Sequence, residues 1–173
     1  TNKINLEFFS KNIVFDLNFS ETFIKKIVKK NYKKNNITIC GTSAFKIHKV
    51  KSIIKKIDCL ILNKEELFSL TKLRNFKKSI KWIINLNSRI NLIVSNADKK
   101  TFGYELSKLI SSEPPKIKAV NENGAGDVMS GIYVYYRSKK YTLEKSLSLA
   151  VAAGTLYAKN KKINLNYNSI KKT

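Results

Sequence analysis

The sequence predicts an α/β fold in which a doubly wound, mainly parallel sheet is flanked by helices. Short β-branched runs alternate with amphipathic helical patterns along the chain, and such alternation is typical of βαβ units. The chain has 173 residues and is 43% hydrophobic, which is enough to bury one sizeable core. We therefore expect a single domain over residues 1–173.

The first strand is predicted at Asn12–Asp16, where the sequence reads "NIVFD". The helix that follows, "SETFIKKIVKKNYKK", has Ser20 as a plausible N-cap and a single apolar face formed by Phe23, Ile24, Ile27 and Val28. A second strand is expected at Ile37–Cys40, followed by a helix at about Lys46–Lys56.

The same alternation continues in the middle of the chain. A third strand is predicted at Cys59–Asn63, with helices at about Lys64–Ser69 and Phe76–Leu86, and a fourth strand at Asn91–Ser95. The segment "KTFGYEL" is a candidate companion strand. After the break at Pro114 and Pro115, we expect two helices, at about Gly126–Ser138 and Thr142–Ala158.

Ligands of open parallel sheets gather at the carboxyl ends of the strands. Here those ends carry Asp16, the turn Gly41–Ser43, Asn63, Ser95 and the turn Gly124–Asp127. This set is chemically coherent, and we expect these residues to converge on one site.

The stretch "NENGAGDVMSGI" places Gly124, Ala125 and Gly126 directly before Asp127 in a chain with only six glycines. Small residues at a helix start let phosphate oxygens approach the backbone N–H groups. A carboxylate in the first turn can then accept a proton from a hydroxyl aimed at that phosphate. The alternative is structural: the small residues allow close packing, and the acid complements the helix dipole.

Asn63 and Glu66, in "NKEE", are spaced so that an amide and a carboxylate can face the same site. They could orient water molecules on Mg²⁺. Their alternative interpretation is a helix cap with a glutamate in the first turn, which is the commoner use of this pattern.

The net charge of +22 is compatible with a basic module that binds RNA or another polyanion without catalysis. However, the lysines are spread over the whole chain, so nucleic acid is not the expected partner. Cys40 and Cys59 form no CxxC pair and are expected to be buried thiols of a cytoplasmic protein. No apolar run is long enough to span a membrane.

Several of these stretches resemble one enzyme family. "NENGAGDVMSGIYV" resembles the C-terminal signature of the ribokinase/PfkB carbohydrate kinases, and "CLILNKEEL" resembles their N-x-x-E segment. "VFDLNFSE" and "ICGTSAFKIHKV" are similar to the pseudouridine kinases, with a match that runs through Ser43, Lys46 and Lys49.

The resemblance implies ATP-dependent phosphorylation of a ribose-containing nucleoside or sugar, with pseudouridine 5′-phosphate as the favoured product. Asp127 would be the general base, and the backbone of Gly124, Ala125 and Gly126 would form an anion hole. The other implied roles are nucleotide binding by Asn63 and Ser95, support of Mg²⁺ through water by Asn63 and Glu66, and substrate-side contacts by Asp16, Asn18, Ser43 and Lys46. The implied cofactors are ATP and Mg²⁺, a monovalent cation is allowed, and the full-length protein could form a homodimer.

The chain also departs from the family pattern. Ala97 and Lys100 replace the two glycines of the nucleotide loop, and Asn121, Glu122 and Ile132 are atypical around the glycine turn. We expect the chain to be the C-terminal portion of a longer kinase, because the resemblance covers only that part of a family member. Another PfkB-type kinase, an inactive fragment and the polyanion-binding module remain the alternatives.

Overall fold

A computed structural model of the chain describes residue 8, residues 10–117 and residues 119–160. The chain divides into two compact units, one up to Val94 and one from Ser95 onwards. The secondary structure is mixed α/β, as the sequence predicts. One domain over residues 1–173 stays a prediction.

The first unit is built around parallel strands. Strands β1 (Asn12–Asp16), β2 (Asn36–Cys40), β3 (Cys59–Asn63) and β4 (Asn91–Ser95) lie in that order. Strand β1 pairs in parallel with β2, and β2 pairs in parallel with β3. Strand β1 ends this order, since β2 is its only neighbour among the described strands. These ladders confirm the predicted parallel arrangement of β1, β2 and β3 and bring the carboxyl ends of these three strands to the same edge.

Helix α1 (Glu21–Asn31) follows β1 and matches its sequence pattern closely. The Ser20 side chain accepts a hydrogen bond from the Phe23 N–H at 3.3 Å, so Ser20 is the predicted N-cap. Ile24, Ile27 and Val28 are buried, as the apolar face requires. Helices α2 (Lys64–Thr71) and α3 (Phe76–Leu86) also form where they are predicted.

The predicted helix at Lys46–Lys56 is wrong in type. Two short 3₁₀ helices, Ile47–Ser52 and Ile54–Lys56, occupy this segment. The buried residues Ile47, Val50 and Ile53 are three positions apart. Residues three apart line up along one face of a 3₁₀ helix, but they are also neighbours on an α-helix. The apolar spacing alone therefore did not distinguish the two helix types.

The second unit contains a β-hairpin and two helices. Strands β5 (Thr101–Glu105) and β6 (Lys108–Ser112) pair antiparallel. Strand β6 is absent from the sequence-based prediction, which has only one companion strand here. The reason is the turn: Leu106 and Ser107 both have positive φ, although two-residue hairpin turns of this kind usually carry asparagine or glycine.

Helices α4 (Ala125–Ser138) and α5 (Leu143–Asn160) pack against each other in the second unit. A buried cluster of Tyr136, Leu149, Ala152 and Ala153 lies between them. Within the described ranges, no helix combines the length and apolar character needed to cross a bilayer.

Candidate functional site

Four residues predicted on the substrate side form one hydrogen-bonded network. The Asp16 carboxylate accepts hydrogen bonds from the backbone and side-chain nitrogens of Asn18, at 2.9 and 2.5 Å. Lys46 Nζ donates to Asn18 Oδ1 at 2.6 Å. Ser43 Oγ accepts a hydrogen bond from the Lys46 N–H at 3.3 Å, just before the first 3₁₀ helix. The three hydrogen bonds of Asn18 in this network are exposed.

Asn63 and Glu66 form a complete capping box at the start of α2. The Asn63 side chain accepts from the Glu66 N–H at 2.8 Å, and Glu66 Oε2 accepts from the Asn63 N–H at 2.9 Å. Glu66 is only 3% exposed. Burial raises the pKa of its carboxyl, although the hydrogen bond from Asn63 acts in the opposite direction. Both side chains therefore form the helix cap that was the alternative interpretation of this pattern.

The capping box has a close neighbour in Gly41, at the end of β2. A Cβ atom at position 41 would lie 2.2 Å from Glu66 Oε2 and 2.8 Å from its carboxyl carbon. Such distances are far inside van der Waals contact. The buried carboxylate thus occupies space that only glycine leaves free.

The donor set of the first unit fits an indirect role towards Mg²⁺. Among the described residues, no group of three or more histidine, cysteine, aspartate or glutamate side chains could hold a metal ion. Mg²⁺ in nucleotide sites commonly keeps its water and takes phosphate oxygens as ligands. Asn63 is exposed and can face such water, whereas the Glu66 carboxylate is buried and held in the capping box.

In the second unit, the glycine turn opens α4 as the sequence predicts. Gly124 is the N-cap residue, with φ +86°, a left-handed conformation that favours glycine. The Ala125 N–H donates to the Glu122 carbonyl at 3.1 Å. The N–H groups of Gly126 and Asp127 follow in the first turn, where a helix offers no internal acceptor. The Asp127 side chain is exposed in the same turn.

A cavity of about 660 Å³ adjoins this turn within the second unit. Ser95, Ala125 and Gly126, three of the predicted site residues, line it together. Helices α4 and α5 contribute an apolar wall that includes Met129, Val151 and Ala158. The volume and the largely apolar lining suit a drug-sized or nucleotide-sized ligand.

Gly124 and Gly126 are glycines for different physical reasons. At Gly124, a Cβ atom would lie 3.1 Å from the Tyr157 ring, so packing as well as φ requires glycine. At Gly126, a Cβ atom built on the backbone would meet no described atom within 4 Å, apart from its chain neighbours and the nearby backbone of α4. Protein packing explains Gly124 and leaves Gly126 without a structural reason.

Several residues that build the site are missing from the sequence-based prediction. Gly154 of α5 lets the start of α4 approach, since its Cβ atom would lie 2.9 Å from the Ala125 carbonyl oxygen. The Val120 and Asn121 N–H groups both donate to the Ala158 carbonyl, which ties the loop before the turn to α5. A glycine inside a long apolar helix is the only sequence signal that could have indicated such contacts.

Comparison with known proteins gives consistent matches. The family model described as pfkB family carbohydrate kinase matches residues 13–168. Over 109 residues, the chain is 28% identical to ATP-dependent 6-phosphofructokinase isozyme 2 of Escherichia coli strain K12. This match covers 63% of the chain and 34% of that protein.

Solved structures show the same fold. The Arabidopsis thaliana ribokinase complexed with ribose and ATP matches with a TM-score of 0.79 and 18% identity, over 94% of this chain and 55% of that one. An E. coli structure described as a putative ribokinase II in complex with ATP and Mg²⁺ matches with a TM-score of 0.77 and 16% identity, over 87% and 53% of the two chains.

The chain spans about a third of the curated relative and about half of these solved structures. The family model, by contrast, matches most of the chain itself. The glycine turn, the following aspartate and the α/β architecture agree with that match. The chain therefore belongs to the pfkB family of carbohydrate kinases.

Proposed function

We propose that the protein transfers the γ-phosphoryl group of ATP to a hydroxyl of a sugar or nucleoside. The observation that carries this proposal is the turn at the start of α4. There, Gly126 leaves open the space that a side chain would fill, and the exposed Asp127 follows it directly. The same turn borders a cavity large enough for a nucleotide.

The proposed chemistry assigns a role to each part of the turn. The Asp127 carboxylate accepts the proton of the acceptor hydroxyl, whose oxygen attacks the γ-phosphorus while the bond to ADP breaks. The first-turn N–H groups stabilise the negative charge on the transferring phosphoryl oxygens. No covalent bond to the protein is needed.

ATP is the proposed phosphoryl donor, held in the cavity beside Ser95. Asn63 and Glu66 would support Mg²⁺ through its water. Solved relatives with this fold are described in complex with ATP, and one of them with Mg²⁺ as well. A monovalent cation near the turn stays a prediction. A cytoplasmic location also stays a prediction, and its motive is that Cys40 and Cys59 form no CxxC pair.

Pseudouridine is our favoured acceptor, with phosphorylation at its 5′-hydroxyl. The motive is the similarity of the Ser43, Lys46 and Lys49 segment to pseudouridine kinases. The network of Asp16, Asn18 and Lys46 offers charged and amide groups that suit a polyhydroxyl ligand. Ribose, another nucleoside and the sugar phosphate named in the E. coli relative are the competing acceptors.

The test is ATP turnover by the full-length protein with pseudouridine, ribose, adenosine and fructose 6-phosphate. We expect Asp127→Asn to lower kcat by about 10²- to 10⁴-fold, the usual effect of removing a general base. Its affinity for ATP should stay unchanged, because the substitution preserves shape and the backbone donors.

Gly126→Val is the companion variant. A Cβ atom at this position meets no packing neighbour within 4 Å, so we expect folding to survive. ATP binding should weaken because the side chain blocks phosphate approach. Wild-type turnover in Asp127→Asn, on whichever acceptor is active, would refute the proposed role of the turn. Unchanged ATP binding in Gly126→Val would refute the anion-binding part alone.

A further inference from the structure

Lys49 makes two hydrogen bonds that its position in the sequence does not indicate. It lies in the 3₁₀ helix Ile47–Ser52 and is half-buried. Its Nζ donates to the carbonyl oxygens of Leu17 and Phe19, both at 2.8 Å. The lysine thus contacts the turn between β1 and α1, about thirty residues earlier in the chain.

The two acceptors lie on either side of Asn18. A lysine ammonium has three donors, and here two of them fix the carbonyl groups that precede and follow this residue. Hydrogen bonds from a charged donor are stronger than neutral ones. The Asn18 N–H is itself held by Asp16 Oδ1, an Asx turn. The backbone that carries Asp16 and Asn18 is therefore restrained from both sides.

Lys46 and Lys49 divide this task between them. They are three residues apart, so they lie on the same face of a 3₁₀ helix. Lys46 reaches the side chain of Asn18, whereas Lys49 reaches the backbone around it. The ammonium group of Lys46 contacts a side chain of the substrate-side network, whereas that of Lys49 contacts only backbone carbonyl groups.

We propose that Lys49 is a positioning residue that holds Asp16 and Asn18 in the geometry needed to bind the acceptor. It does not contact the substrate itself. The inference rests on the proposed function, because Asp16 and Asn18 are assigned to the acceptor side. Removing Lys49 should leave the nucleotide cavity of the second unit unaffected.

The experiment compares Lys49→Met, Lys49→Arg and Lys55→Met in the full-length protein. Methionine keeps the length and apolar stem of lysine but removes the donors. Lys55 is an exposed lysine of the next 3₁₀ helix and serves as the matched control. The readouts are hydrogen exchange of the peptide over residues 16–20, and the KM values for ATP and for the most active acceptor.

We expect faster exchange over residues 16–20 in Lys49→Met. The acceptor KM should rise about tenfold, the effect of losing roughly one charge-assisted hydrogen bond, with the ATP KM unchanged. Lys49→Arg should be closer to wild type in both the exchange rate and the acceptor KM, since arginine keeps charged donors. Lys55→Met should match wild type in both.

Two results would overturn the proposal. One is exchange and acceptor KM in Lys49→Met equal to those of Lys55→Met. The other is faster exchange throughout the chain with both KM values raised together, which would mean a general structural role. Absence of turnover in the wild type with every acceptor would instead refute the proposed function, and the exchange data would still decide whether Lys49 restrains the turn.

Discussion

At the scale of single residues, Gly41 and Glu66 show how a buried carboxylate depends on a missing side chain. Glu66 is held by the Asn63 N–H and lies against the Gly41 backbone, where a Cβ atom would overlap with Oε2. The carboxylate is the flexible end of a side chain, so it can move away from an added methyl group. Moving away would break its half of the capping box.

We expect Gly41→Ala to destabilise the protein by about 1 kcal/mol, the usual value of such a capping hydrogen bond. The measurement is urea unfolding of both proteins. The control is the same substitution in a Glu66→Ala background, where the overlap is gone and the loss should vanish. An equal loss of unfolding free energy in both backgrounds would mean that the backbone conformation of residue 41 causes the effect. The overlap with the Glu66 carboxylate would then not be the cause.

At the scale of elements, the pairing of α4 with α5 places the glycine turn. Gly154 lets α5 lie against the first turn of α4, and the Ala158 carbonyl binds the loop before that turn. The obstacle to a side chain at position 154 is a backbone carbonyl, which cannot rotate away as the end of a side chain can. The geometry of the proposed anion site therefore depends on α5, although all N–H donors of that site belong to α4.

Gly154→Ala should weaken ATP binding and lower the melting temperature. Alanine normally stabilises a helix interior by about 1 kcal/mol relative to glycine, so a loss here would have to come from the overlap with Ala125. Gly131→Ala is the matched control: Gly131 is an exposed glycine of α4, and a Cβ atom there meets no atom of the described chain within 4 Å. We expect that variant to be more stable than wild type. If calorimetry and ATP titration showed the same gain for both, close packing of α5 would not position the turn.

At the scale of the whole molecule, the charge of +22 will attract polyanions whatever the protein's activity. Exposed ion pairs such as Lys25–Glu21 and Lys100–Glu113 cannot neutralise most of the basic residues, because 34 lysines and arginines stand against 12 acidic residues. Attraction of this kind comes from many weak phosphate contacts and releases counterions, so it depends steeply on salt. Phosphoryl transfer would depend instead on one carboxylate.

We expect single-stranded RNA to bind the protein weakly and to dissociate as salt rises from about 50 to 200 mM. Asp127→Asn should leave that binding unchanged while it removes most of the turnover. Fluorescence anisotropy with labelled RNA measures the first effect and an ADP-release assay the second. Tight RNA binding that persists at the higher salt, in a protein without turnover, would favour the polyanion-binding alternative.

The sequence by itself determined the features that depend on neighbours within a few residues. The alternation of strands and helices, the N-cap at Ser20 and the pairing of Asn63 with Glu66 are of this kind. So is the start of α4 at the glycine turn. Each follows from local hydrogen bonds and from the period of apolar residues, which can be counted along the chain.

Only the tertiary structure decided what depends on residues far apart in the chain. The segment that carries Ile47, Val50 and Ile53 forms 3₁₀ helices although its apolar spacing also suits an α-helix, and pairing with β5 makes β6 a strand. Contacts across the fold also distinguish Gly124, which Tyr157 and a positive φ require, from Gly126, which leaves space free. The sequence singles out Lys49 only through a family resemblance and does not show its contacts, because its acceptors, Leu17 and Phe19, lie about thirty residues earlier in the chain.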